Sequence, residues 1–155
     1  MWLHANANDW QQKATDSLAA LYILQRSSSR HRQPVALIGP GDGGEKECEA
    51  AERVAERLAE AGMAIVCGGR GGVMEAASRG AAKAGGLVIG FLPEEDASAA
   101  NEWLTLVLPT GMGEMRNALI ARSALCLVAI GGGMGTISEM ALGLKWGKPV
   151  FTLYE

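Results

Sequence analysis

Three times along this chain a short apolar run ends in a cluster of glycines and gives way to a helical pattern. Val35-Ala36-Leu37-Ile38 meets Gly39 to Gly44, Ala64 to Cys67 meets Gly68 to Gly72, and Leu125 to Ile130 meets Gly131 to Gly135. Each run is continuous rather than alternating, as in a strand buried on both faces. The patterns that follow suit helices over Glu45–Ala61, Val73–Ala84 and Thr136–Trp146. In the first, Cys48, Ala51, Val54, Ala55 and Leu58 share one face, and Gly62 stops it. Further strands are predicted over Leu87–Leu92, ended by Pro93, over Trp103–Leu108, closed by Pro109, and over Val150–Tyr154. A helix is predicted over Glu114–Ser123. Strand, glycine turn and helix in repetition define an α/β class: a doubly wound, Rossmann-like parallel sheet with helices on both faces. Such folds bind ligands beyond the carboxyl ends of the strands, where these turns lie.

Composition narrows the function classes. The chain has 155 residues, one domain's worth, and 21 of them are glycine, clustered without a collagen period. Residues 34–155 read as the nucleotide-binding domain. Residues 1–33 read as a separate preface: an amphipathic helix from Asp9 to about Gln25, with Trp10, Ala14, Leu18, Leu21 and Tyr22 at helical spacing, then a basic linker. A net charge of −3 argues against a general nucleic-acid binder, which needs a basic face. Ala124–Ile130, as long as any apolar run in the chain, is far too short to span a bilayer. The start has neither a basic n-region nor an apolar h-region, so no signal peptide, no membrane and a cytoplasmic location are expected. Cys48, Cys67 and Cys126 lie in apolar segments and read as buried thiols. His4 and His31 have no ligand-spaced partner, so no metal site is expected.

The turns differ in what they can hold. Gly39-Pro40-Gly41-Asp42-Gly43-Gly44 matches G-x-G-x-x-G, but the second strand ends Cys67-Gly68-Gly69 with no carboxylate for a ribose, which argues against a dinucleotide. No P-loop sequence occurs. The turn Gly131-Gly132-Gly133-Met134-Gly135-Thr136 is the sharpest feature. Its backbone N–H groups, a helix dipole and the Thr136 hydroxyl converge as a phosphate would need. Glu139, one helical turn on, suits a sugar better than a phosphate. Arg116 starts a helix that leads into the same crevice. In the second turn Arg70 reads as a ligand cation or an exposed loop residue, Met74 as core or a flank for a flat base, and Glu75 as a helix-end charge or a ligand contact. Arg122 reads as a surface or subunit contact.

Gly68–Met74, Met115-Arg116 and Gly131–Glu139 together resemble the Lonely Guy family, whose markers are a glycine-rich G-L-M turn, M-x-x-R-K and P-G-G-x-G-T-x-x-E. The resemblance spans Val35 to Val150. It implies a nucleoside 5′-monophosphate phosphoribohydrolase, which releases base and ribose 5-phosphate without metal or cofactor. Arg116 and Glu139 match the catalytic pair. Gly132, Gly133, Gly135 and Thr136 match the phosphate turn, and Gly39, Gly68, Gly69, Gly72 and Met115 are the expected nucleotide contacts. Glu139 would stabilise oxocarbenium charge or position water, while Arg116 orients the nucleotide. The family also implies a homodimer or higher homo-oligomer. Gly131 stands where the marker has proline, Asn117 where it has lysine, and Glu75 where it has glycine, and the second glycine turn is one residue shorter. These departures are similar to a sister branch that includes molybdenum cofactor carrier proteins, which bind a phosphorylated pterin without turning it over. A non-catalytic carrier or sensor of a phosphorylated small molecule is therefore the alternative.

Overall fold

A computed structural model of the protein describes residues 32–154, so the expected helix and most of the linker before β1 lie outside the described residues. Among the described residues six strands and four helices follow one another: β1 Val35–Ile38, α1 Glu45–Glu60, β2 Ile65–Cys67, α2 Val73–Lys83, β3 Val88–Leu92, β4 Leu106–Pro109, a 3-10 turn Gly113–Arg116, α3 Asn117–Ser123, β5 Leu127–Ile130, α4 Met134–Lys145 and β6 Val150–Leu153. The strands form one sheet in the order β4-β3-β2-β1-β5-β6, and every pairing is parallel.

The continuous apolar runs are explained by two cores. Within β1, Leu37 packs with Ile65, Cys67 and Val73 on the face covered by α1 and α2. Its neighbours Ala36 and Ile38 pack with Val66, Ile120 and Leu127 on the face that α3 and α4 cover. Successive side chains point to opposite faces, so a strand between two helical layers needs apolar residues at every position. The path leaves β1 outward through β2, β3 and β4, then returns to lay β5 against the other side of β1. The switch point therefore falls between β1 and β5, above their carboxyl ends.

Several boundaries differ from the sequence pattern. The fourth strand begins at Leu106, not Trp103. The Asn101 side chain accepts the Trp103 N–H at 3.1 Å and its backbone N–H bonds the Gly69 carbonyl at 2.9 Å, which folds the chain into a turn before pairing begins. Pro109 does not close that strand but belongs to it, opposite Leu92. An edge strand tolerates a residue without an N–H. The fifth strand starts at Leu127 rather than Leu125, and β6 ends at Leu153. The single helix expected over Glu114–Ser123 is a 3-10 turn followed by α3, and the change of pitch turns Arg116 inward while Met115 stands 74% exposed. Of the three thiols only Cys67 is fully buried; Cys48 and Cys126 are half-buried.

Candidate functional site

A cavity of about 280 Å³ opens at the switch point, at the small end of the range for ligand sites. The first glycine turn supplies Gly39 to Asp42, the second supplies Gly68 and Arg70, and the third supplies Gly133 to Thr136. Ile38, Met74, Glu114, Arg116, Asn117 and Glu139 complete the lining.

The third turn opens onto a helix N-terminus. Helix α4 begins at Met134, two residues earlier than the sequence pattern placed it, with Gly133 as its N-cap in extended backbone (φ −165). Ile137 N–H makes the first bond back to the Gly133 carbonyl at 2.9 Å, so the N–H groups ahead of it have no helical acceptor, the arrangement that suits an anion. Gly131 has φ +70, a conformation closed to proline, whose ring holds φ near −65°. Glycine in place of the family's proline thus gives this turn its own backbone path. Since Gly133 is extended, a side chain there meets nothing closer than Pro40 Cβ at 3.7 Å. Gly133→Asp is therefore expected to fold with an unchanged or slightly higher Tm, because Asp is a better N-cap than glycine. Its carboxylate would lie where an anion would meet that helix end, so the rise in Tm that phosphate is expected to give the wild-type protein should vanish. Thermal shift against a phosphate series reads both effects.

The first turn is anchored at both ends. Glu47 turns back to accept the Gly44 N–H at 2.7 Å, and the Pro40 carbonyl accepts the Val73 N–H at 3.1 Å, which locks the first turn to the second. Gly72 sits at that crossing with φ +62, where a Cβ would lie 2.5 Å from the Gly41 carbonyl. These contacts join the two turns and take the Gly44 N–H at the helix end.

Arg116 and Glu139 meet in the floor of the cavity. Each is 6% exposed, and the guanidinium Nη1 lies 3.8 Å from the Glu139 carboxylate, close enough to attract but beyond hydrogen-bond length. Burial pushes the Glu139 carboxyl up to about 8. The Arg116 charge opposes the rise and Glu114 adds to it. At neutral pH the carboxyl is mostly protonated, so the Arg116 cation has no full counter-charge there. Its Nε is buried without a hydrogen-bond partner. Arg116 Nη1 donates instead to Asn117 Oδ1. The guanidinium spreads over Gly68, where a Cβ would come within 2.9 Å of Nη2.

The structure thus brings Gly39, Gly68, Arg116, Gly133, Gly135, Thr136 and Glu139 to one cavity. Gly69, Gly72, Gly132 and Met115 do not line it. Met74 is both core and wall, being buried yet facing the cavity. Arg70 lines the mouth and pairs with Glu94. Glu75 lies in the first turn of α2, outside the lining, and Arg122 sits over the Trp146 ring at 4.9 Å from its centroid. Glu114 and Asp42 are wall residues that the motifs did not single out, and Asn117, noted in the sequence only as standing where the marker has lysine, is a third wall residue. For Asn117 the available signal was its place directly after Arg116.

A doubly wound α/β sheet with a glycine-led helix N-terminus and a buried Arg–Glu couple at its switch point defines a class of proteins with a small-ligand cavity there. Within that class, residues 32–155 match the model of the SLOG cluster4 family, and the chain belongs to that family. A protein of Archaeoglobus fulgidus described as uncharacterized is 43% identical over 119 residues, 77% of this chain and 78% of its own length. The cytokinin riboside 5′-monophosphate phosphoribohydrolase LOG5 of Arabidopsis thaliana is 30% identical over 125 residues, 77% of this chain and 54% of its own length. The chain therefore spans only about half of that enzyme. Among solved structures, the molybdenum cofactor binding protein of Rippkaea orientalis is similar with a TM-score of 0.80 and 36% identity, covering 82% of this chain and 79% of that one. The molybdenum cofactor carrier protein of Chlamydomonas reinhardtii is similar at a TM-score of 0.73 and 35% identity, covering 79% and 76%. Among the described residues, no helix is long and apolar enough to cross a membrane.

Proposed function

We propose that this protein binds a nucleoside 5′-monophosphate and hydrolyses its N-glycosidic bond. The phosphate sits on the N-terminus of α4, and the ribose lies over Arg116 and Glu139. The observation that carries this reading is a carboxyl kept protonated near neutral pH by burial, beside a buried cation that lacks a full counter-charge. A phosphorylated ligand supplies the missing charge. The protonated carboxyl supplies what glycosidic cleavage needs. As the C1′–N bond breaks with its electron pair leaving on the base, Glu139 donates its proton to the base nitrogen. The resulting carboxylate stabilises the oxocarbenium and then accepts a proton from the water whose oxygen bonds C1′. The products are free base and ribose 5-phosphate, and Glu139 is returned to its starting state. Incubation with a panel of nucleoside 5′-monophosphates, read for free base and ribose 5-phosphate, tests the reading.

A second reading is favoured by one observation, the likeness to a molybdenum cofactor binding protein at a TM-score of 0.80. In that reading the same anion seat holds a phosphorylated pterin, and Glu139 has no turnover to perform. Absence of base release across the panel from folded protein, together with molybdopterin binding, would establish it.

The reading also includes assembly into a homo-oligomer. The outer face of α4 presents Met134, Ile137 and Leu144 to solvent, three apolar side chains on one helix end to end, and a second copy would cover them. Light scattering at micromolar concentration should return at least twice the mass of one chain; a monomer mass would remove this part.

A further inference from the structure

The residue directly after Arg116 explains how the couple is held apart. Asn117 is 3% exposed and uses both ends of its amide. Its Oδ1 accepts from Arg116 Nη1 and its Nδ2 donates to Ser138 Oγ at 2.8 Å. Ser138 Oγ in turn donates to the Gly135 carbonyl at 2.7 Å. A chain of three hydrogen bonds therefore ties the guanidinium to the first turn of α4. The nitrogen that faces Glu139 is the one taken by Asn117, and it stops 3.8 Å from the carboxyl. Arginine and carboxylate left to themselves close to a charge-assisted bond of about 2.7–2.9 Å.

We propose that Asn117 is a positioning residue: it draws Arg116 Nη1 toward Ser138 and the N-terminus of α4, and so keeps the guanidinium from closing onto Glu139. The inference rests on the reading of Arg116 and Glu139 as the working couple, and it names what sets their spacing. With the bridge in place the cation faces the anion seat and Glu139 keeps its proton. Without it Arg116 collapses onto Glu139, ionises it and leaves neither the free cation nor the proton donor. Asparagine suits this task because it is neutral. A lysine at this position would place a second cation beside the carboxyl and favour its ionised form. The other charged or titratable groups around Glu139 are Glu114 on the same 3-10 turn as Arg116, Cys67 at the end of β2, and Asp42 and Arg70 from the first two glycine turns. None of them bonds Arg116 in place of Asn117.

The test is the titration of Glu139 in ligand-free protein, followed by NMR of side-chain 13C-labelled glutamate and assigned by loss of the signal in Glu139→Gln. In Asn117→Leu, which matches the side chain in size and makes no hydrogen bond, the midpoint should fall by about one pH unit or more, the range for an opposite charge brought into contact. In Asn117→Asp, which keeps the acceptor for Arg116, it should not fall. Ser138→Ala removes only the outer anchor and should give a smaller fall. A purely packing role for Asn117 would change stability and leave the midpoint where it was. An unchanged midpoint in folded Asn117→Leu overturns the inference. If that variant does not fold, an unchanged midpoint in Ser138→Ala does so. Because no substrate is present, the outcome is separate from turnover: base release with an unmoved midpoint sinks this inference alone, and a moved midpoint without base release sinks only the hydrolase reading.

Discussion

Glu139→Gln is expected to lower release of base from a nucleoside 5′-monophosphate by about 10²–10⁴-fold, the loss typical when a positioned proton donor is removed. Binding of the nucleotide should change only a few-fold, since its phosphate is held by α4 and its charge by Arg116. Glutamine keeps the shape of the side chain and the neutral charge that Glu139 carries below about pH 8, so the fold of the site is preserved. The wild-type rate should also carry the signature of a required acid. It should hold through neutral pH and fall about tenfold per unit once the pH passes about 8, where the proton is lost. The same shift has a consequence for stability that needs no substrate. The folded protein holds the Glu139 proton up to about pH 8, while the unfolded chain releases it near 4.5. Between those values the folded state binds more protons, so stability contributed by this group is full below about 4.5 and is lost as the pH rises through 8. The loss is on the order of 5 kcal/mol when complete. Glu139→Gln lacks that loss and should melt above the wild type at pH 8–9, with the gap closing toward pH 5. A kcat unchanged in Glu139→Gln would remove this carboxyl from the chemistry.

Gly80→Ala is expected to destabilise the fold by roughly 2–4 kcal/mol, although alanine is the better helix former by about 1 kcal/mol. Helices α1 and α2 cross with Gly80 against Glu52, and a Cβ would sit 2.1 Å from the Glu52 carbonyl oxygen and 2.8 Å from its carbon. That neighbour is helical backbone, which cannot rotate away as a side chain can. The helices must separate along a seam lined by Ala51, Ala55, Ala76 and Ala77, all buried. The same displacement strains the bonds by which Arg79 holds Glu52, at 3.0 and 2.8 Å, and the Lys83 bond beside them. Those partners, Arg79 first, hold the Glu52 carboxyl below its usual range. The melting temperature should drop by roughly 4–16 °C. The α4 end of the site lies on the other face of the sheet, so phosphate should still raise the Tm of the folded fraction. A Tm equal to wild type would show that the seam yields without cost.

Much of the layout was legible in the sequence because it depends on local pattern. Continuous apolar runs of strand length imply helices on both faces, and the paired cores around Leu37 and Ile38 are the physical form of that pattern. The glycine clusters after three of those runs marked the end of the sheet at which a ligand would bind, and the cavity lies there. Less was legible about what each glycine is for. Gly72 and Gly80 look no different in a sequence from Gly133. Yet Gly72 is demanded by a positive φ against the Gly41 backbone and Gly80 by a helix crossing, while Gly133 has open space before it. A glycine states only that no side chain is tolerated or needed, and the reason lies in a neighbour remote along the chain.

The succession of strands and helices, the two-faced burial and the placing of Arg116 and Glu139 near the third glycine turn were thus legible in the sequence itself, through periodicity and motif spacing, whereas the order of the strands in the sheet was not. The tertiary structure alone decided the chemical state of that pair. The 3-10 turn that swings Arg116 inward, the Asn117–Ser138 bridge that stops it short of Glu139, and the burial that keeps the carboxyl protonated are sums over groups from several elements. Desolvation depends on what surrounds a group in space, and no window of neighbouring residues contains that information.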